Sequence, residues 1–242
     1  MKFTVLSLFP EFFDSLDHFG IIRRAKEEGK FTLEALNIRD FSTDKHRRVD
    51  DYPYAGGSGM VMTPQPLAAA LAGRQHVIYL TPRGERLTQD IVRELSDYDE
   101  LTLLCGHYEG IDQRIIDRYV EREISIGDYV LSGGEIPAMV LMDAIIRLLP
   151  GVITEDSLTH ESHNAFLLEY DHYTRPEDYE GQLVPEILLS GNHALIEEYR
   201  LDQAIRLTLK RRPDLIDEGI KQAAFTKQQL NRIYQLREEE HS

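Results

Sequence analysis

Three times between residues 76 and 149 the chain repeats one plan: a short apolar run, a glycine-bearing turn, and a stretch with helical apolar spacing. His76–Leu80 leads into Thr81-Pro82-Arg83-Gly84, then Leu87, Ile91 and Leu95 on one helical face. Leu101–Leu104 leads into Cys105-Gly106-His107-Tyr108-Glu109-Gly110, then Ile111, Ile115 and Tyr119. Glu123–Ile126 leads into a loop closed by Gly133-Gly134, then a long apolar helix from Glu135 to Leu149 with Pro137 tolerated in its first turn. Strands alternating with helices restrict the chain to an α/β fold with a mostly parallel sheet, because parallel neighbours need a helical crossover. The apolar runs Phe3–Leu8 and Phe31–Leu36 are expected to join that sheet.

Pro150-Gly151 ends the last helix, and residues 154 to 173 show no clear period, so they read as a linker. Beyond Pro176 the pattern turns helical, over Ala194–Arg211 and Thr226–Arg237, and predicts a small helical C-terminal domain.

The net charge of −15 argues, on average, against a nucleic-acid partner, since phosphate binding is dominated by Lys and Arg. Binding concerns patches, however, and basic residues cluster at Arg23-Arg24-Lys26, Lys45–Arg48 and Lys210-Arg211-Arg212. Each cluster is either a solvated face balanced by nearby acids or a phosphate contact. The single cysteine, Cys105, excludes an internal disulfide and fits a reducing compartment. No apolar run approaches a membrane span, and Met1–Pro10 reads as a buried strand rather than a signal peptide. A cytoplasmic protein without membrane contact is expected.

Several local patterns have more than one reading. Ala55–Met60 is glycine-rich, but it lacks the Lys-Ser/Thr ending of a phosphate loop and reads as a flexible loop. His160 and His163 stand three apart without further ligands, so no metal site is assigned. Arg147 is a lone cation on an apolar helix; it either pairs with Asp143 one turn earlier or serves a pocket formed by the glycine turns. Asp128 either braces its own loop or holds a cationic ligand.

Five longer strings are specific. Lys45–Met60 (KHRRVDDYPYAGGSGM), Leu104–Arg114 (LCGHYEGIDQR), Glu123–Glu135 (EISIGDYVLSGGE), Tyr173–Pro176 (YTRP) and Val184–Ala194 (VPEILLSGNHA) resemble the bacterial tRNA (guanine-N1-)-methyltransferase family. The resemblance implies a SPOUT-type α/β domain with a deep trefoil knot. It also implies a homodimer with active sites across the subunit interface, and methyl transfer from S-adenosylmethionine to N1 of the guanine immediately 3′ of the tRNA anticodon. It divides the chain into a knotted methyltransferase domain (1–158), a flexible interdomain linker (159–173) and a helical tRNA-binding domain (174–242) that meets the anticodon stem-loop. Mg²⁺ is used by the family, with no ligand spacing here to identify a site. The alternatives are a related knotted methyltransferase acting on another RNA, or a catalytically silent RNA-binding module.

Carried over by motif, the donor pocket comprises Tyr79, Leu80, Thr81 and Pro82 from the first turn. Gly106, Tyr108, Glu109 and Gly110 come from the second. Ile126, Gly127, Asp128, Tyr129, Val130, Leu131, Gly133 and Gly134 come from the third. The family assigns an arginine before the P-G-V that ends the long helix to the developing charge on guanine O6, and Arg147 matches it. It assigns the general base to the aspartate of a D-S-F segment, where this chain reads Glu161-Ser162-His163. Glu161 is therefore the expected base, and His163 offers a rival with a pKa nearer neutrality. Asp171 also stands where the family commonly has proline.

Overall fold

A computed structural model describes residues 1–18, 20–154, 161–163 and 165–240. The chain divides into two compact units, Met1–Ile153 and Thr154–Ser242. The expected domain boundary at residue 158 and the histidine at 160 lie outside the described residues.

In the first unit, β1 (Lys2–Ser7), a 3-10 helix (Pro10–His18), α1 (Gly20–Glu27) and β2 (Thr32–Asn37) come first. A small antiparallel pair follows, β3 (Asp50–Asp51) with β4 (Val61–Met62), and then α2 (Pro64–Leu71). The remainder is β5 (Val77–Arg86), α3 (Gln89–Ser96), β6 (Glu100–Cys105), α4 (Gln113–Tyr119), β7 (Arg122–Ser125) and α5 (Glu135–Ile146). Five strands form one sheet in the order β2-β1-β6-β5-β7, every pairing parallel.

Strands covered on both faces must be apolar on both, so β1 and β6 are buried along nearly their whole length. Alternation then sorts the side chains. Phe3, Val5, Ile78, Leu80, Leu103 and Ile124 face the core shared with the 3-10 helix, α1, α3 and α5. Leu6, Val77, Tyr79 and Leu104 face the core shared with α2 and α4. α5 buries Ala138, Leu141, Met142, Ile145 and Ile146, a spacing of three and four that presents one stripe to the sheet.

Two boundaries differ from the sequence expectation. The turn expected at residues 81–84 lies within β5, which runs to Arg86 with a register irregularity between Leu80 and Glu85; both residues match Ile124 of β7. Leu87 is therefore outside α3, whose N-cap is Thr88, its hydroxyl accepting from the Ile91 N–H at 3.4 Å. α5 stops at Ile146 rather than Leu149. Leu148 and Leu149 donate to the carbonyls three residues back, tightening the last turn.

The second unit holds the helices His193–Arg211, Pro213–Lys221 and Lys227–Glu240, with a hairpin of Asp178–Tyr179 and Gln182–Leu183. Ile205, Ile216, Phe225, Ile233 and Leu236 form its core. The middle helix had no place in the sequence expectation, which gave helical patterns only over Ala194–Arg211 and Thr226–Arg237. In the structure Pro213 is the first residue of a new helix, where a missing N–H costs nothing. No described helix is long and apolar enough to cross a membrane.

Candidate functional site

A cavity of about 290 Å³ opens beside the irregular middle of β5 and at the carboxyl ends of β6 and β7, the end of the sheet at which parallel α/β folds hold their ligands. Its walls are the three glycine-bearing segments. Tyr79 to Arg83 form the first; Gly106 to Gly110 form the second; Ile124 to Gly127 and Tyr129 to Gly133, with Pro137, form the third. Tyr79 is buried between the second segment and the sheet, and burial raises its phenol pKa, so the ring remains a neutral donor.

The second segment can approach Tyr79 only because residue 106 lacks a side chain: a Cβ there would lie 2.7 Å from the ring and 2.8 Å from the hydroxyl. The turn is closed by the Gly110 N–H donating to the His107 carbonyl at 3.1 Å, with Tyr108 in the left-handed region at φ 58. On its outer side the Glu109 N–H donates to the Met60 carbonyl at 3.0 Å, and the Met62 N–H donates to the Gly110 carbonyl at 2.9 Å. The glycine-rich stretch 55–59 is thus fastened to the cavity wall, and it leads from two largely exposed aromatics, Tyr52 and Tyr54.

Of the donor residues expected from sequence, Tyr79, Leu80, Thr81, Pro82, Gly106, Tyr108, Glu109, Gly110, Ile126, Gly127, Tyr129, Val130, Leu131 and Gly133 line this cavity. Asp128 and Gly134 do not. The Asp128 side chain is 87% exposed and accepts from Arg86 Nη2 at 3.0 Å, which is the bracing role. Gly134 is the buried N-cap of α5, its N–H donating to the Gly106 carbonyl at 3.0 Å. Arg83, His107, Ser125, Ser132 and Pro137 line the cavity without having been singled out. His107 was within reach of inspection, because it sits inside the Gly106–Gly110 string.

Beneath the cavity lies a buried polar cluster. His107 Nε2 is 2.8 Å from Glu135 Oε1 and 2.9 Å from Oε2, and the Ser7 hydroxyl donates to Oε1 at 2.5 Å. Burial pushes the Glu135 carboxyl up, but the hydrogen bonds from His107 and Ser7 outweigh it and hold the group below its ordinary value. Neighbouring Cys105 is fully buried, and burial raises its thiol well above the usual range, which makes it inert.

Arg147 caps the C-terminal end of α5, one turn from Asp143, and is absent from the cavity lining. Burial raises the Asp143 carboxyl while the charge of Arg147 pulls it down. Glu161 and His163 belong to the second unit. Glu161 lines a cavity of about 580 Å³ there with Leu168, Tyr170, Arg200 and Leu201, and the His163 N–H donates to the Leu167 carbonyl at 2.9 Å.

Several basic residues are already paired. Arg47 meets Asp40, and Arg48 Nη2 lies 3.0 Å from Asp44, while Arg212 donates twice to Asp214, at 2.8 and 2.6 Å. Lys210 and Arg211 are exposed at the end of the helix His193–Arg211. Among the described residues no group of three or more His, Cys, Asp or Glu stands together as metal ligands.

The model of the family described as tRNA (Guanine-1)-methyltransferase TrmD matches residues 1–218. The tRNA (guanine-N(1)-)-methyltransferase of Caldicellulosiruptor saccharolyticus is 55% identical over 222 residues, covering 90% of this chain and 91% of the relative. That of Chloroflexus aggregans is 52% identical over 237 residues, covering 95% and 93%. The protein of the same description from Clostridioides difficile is 52% identical over 224 residues, covering 89% and 97%.

Proposed function

The chain belongs to the tRNA (guanine-1)-methyltransferase family and is an S-adenosylmethionine-dependent enzyme, and on that premise we propose how its residues do the work. It methylates N1 of the guanine immediately 3′ of the anticodon. The observation that carries the reading is the cavity beside β5, β6 and β7, two of whose three walls, Gly106–Gly110 and Ile124–Gly133, lie in strings that resemble the family. Its chemistry fits the donor. Leu80, Ile126, Val130, Leu131 and Pro137 supply apolar surface for a purine, and backbone at the glycine turns can reach the purine edge. Glu109 is a carboxylate suited to the cationic end of the molecule. Asp128 is left out of the proposed donor-binding residues because Arg86 already holds it.

S-adenosylmethionine supplies an electrophilic methyl group on a sulfonium. The nucleophile is guanine N1 of the tRNA, which is protonated at neutral pH, so the chain must supply a base, and S-adenosylhomocysteine leaves as the methyl group is transferred. Glu161 takes that proton as general base, with His163 as the competing acceptor. Negative charge then grows on O6, and the Arg147 guanidinium stabilises it. The remaining catalysis is positioning. No step is routed through Mg²⁺, for which the described residues offer no ligand group.

The finer architecture follows the same reading. The knotted domain extends to residue 158, a linker to 173, and the C-terminal domain from 174 binds the anticodon stem-loop. The knot follows from membership of the family. A homodimer with shared active sites is supported by Ile136 and Val140, exposed one turn apart on α5, with Phe9, Phe12 and Val130 also exposed. The substrate assigns the reaction to the cytoplasm. Labelled donor incubated with tRNA transcripts bearing guanine or adenine beside the anticodon tests the reading: label must enter the guanine transcript and not the adenine one.

A further inference from the structure

The Ser7–Glu135–His107 cluster joins three parts of the chain that are remote in sequence: the end of β1, the turn after β6 and the first residue of α5. Glu135 is 5% exposed and Ser7 is fully buried, so the carboxylate has left water and depends on these two partners. Ser7 is itself oriented, its oxygen also accepting from the Phe9 N–H at 2.8 Å. The Phe9 ring stands edge-on to the imidazole at 5.1 Å between centroids. Main-chain contact backs the side chains. A Cβ on Gly134 would lie 2.6 Å from Cys105 Cα, so the start of α5 sits flush against the end of β6.

His107 therefore acts at two points. Its side chain ties the second cavity wall to the foot of the third, and its carbonyl closes the turn that carries Glu109. We propose that His107 is a positioning residue for the methyl donor: bound to Glu135, it sets the spacing between the Gly106–Gly110 and Ile126–Gly133 walls. The inference rests on the reading of this cavity as the donor pocket.

The test uses the full-length protein and S-adenosylhomocysteine, with binding followed by calorimetry and folding by circular dichroism. His107→Leu removes the donor to a buried carboxylate and is expected to weaken binding by about tenfold, the scale of one charge-assisted hydrogen bond. His107→Gln keeps an N–H donor and should recover most of that loss. In turnover the KM for the donor should rise more than kcat falls, with the KM for tRNA unchanged. A folded His107→Leu protein that binds within about twofold of wild type overturns the proposal, as does a His107→Gln protein no better than His107→Leu. Should His107→Leu not fold, His107→Phe decides, since it keeps the ring but has no donor for Glu135; unchanged affinity then overturns the proposal. Wild-type protein that fails to bind S-adenosylhomocysteine would instead sink the donor-pocket reading.

Discussion

Gly106 and Tyr79 meet so closely that a Cβ on the glycine would press on the phenol ring and on its hydroxyl, 2.8 Å away. Tyr79 is buried and cannot swing out without opening the sheet face it covers. Gly106→Ala is therefore expected to destabilise the fold by about 1–3 kcal/mol through overpacking and to weaken S-adenosylhomocysteine binding. Pairing it with Tyr79→Ala should relieve part of the loss of Tm, and a double variant less stable than both singles would count against this contact.

Glu161 and Arg147 carry the proposed proton transfer and charge stabilisation. Glu161→Gln should lower the single-turnover rate on tRNA by roughly 10²–10⁴, with donor affinity little changed. Arg147→Ala should cost roughly 10²–10³ in the same assay. A near-wild-type rate for Glu161→Gln, together with a collapse in His163→Ala, would move the base to His163.

The Glu135 carboxyl titrates below its ordinary value of 4.5 because hydrogen bonds from His107 and Ser7 overcome burial. A carboxyl depressed in the folded state contributes stability that is complete above the unfolded pKa and is lost as pH falls through the folded one. Wild type should thus exceed Glu135→Gln in Tm at neutral pH, and the gap should narrow as pH falls below about 4.5. Parallel Tm curves across that window would show that ionised Glu135 has no such role.

Lys210 and Arg211 are exposed, whereas Arg212 is engaged by Asp214. If they meet RNA phosphates, tRNA affinity should fall steeply with salt. The double variant Lys210→Ala, Arg211→Ala should then flatten the log–log slope by about two, roughly one for each phosphate no longer neutralised. A slope identical to wild type would place the phosphate-binding residues elsewhere.

Val140 stands exposed one turn from Ile136 on α5, a helix whose opposite stripe is buried. If this face is the proposed subunit contact, Val140→Lys should leave the monomer fold intact while shifting sedimentation from dimer to monomer and lowering activity with it. A Val140→Lys protein that sediments as wild type would exclude this face as the subunit contact.

Much of the first unit was legible in the residues. Strands buried on both faces leave nearly continuous apolar runs, which is why Phe3–Leu8 and Leu101–Leu104 lie within a residue or two of β1 and β6. The long helices were legible from their apolar spacing, and most of the cavity lining lies in two strings with family resemblance, Leu104–Arg114 and Glu123–Glu135. Turn residues at Pro82 and Gly84 misled, because local chemistry says turn while pairing with β7 keeps the segment in the sheet to Arg86.

Local pattern by itself determined the α/β class, the parallel strands and the loops that line the cavity, because backbone period and glycine content act over a few residues. Tertiary structure alone decided which side chains share a site. Ser7 and Glu135 are separated by 128 positions, and His107 and Glu135 by 28. Only the closure of β1, β6 and α5 around one core brings them within hydrogen-bonding distance. The pairing of β5 with β7 likewise sets Arg86 beside Asp128, 42 residues away in the chain. Such pairings are chosen by the burial of the whole sheet and leave no period in the chain.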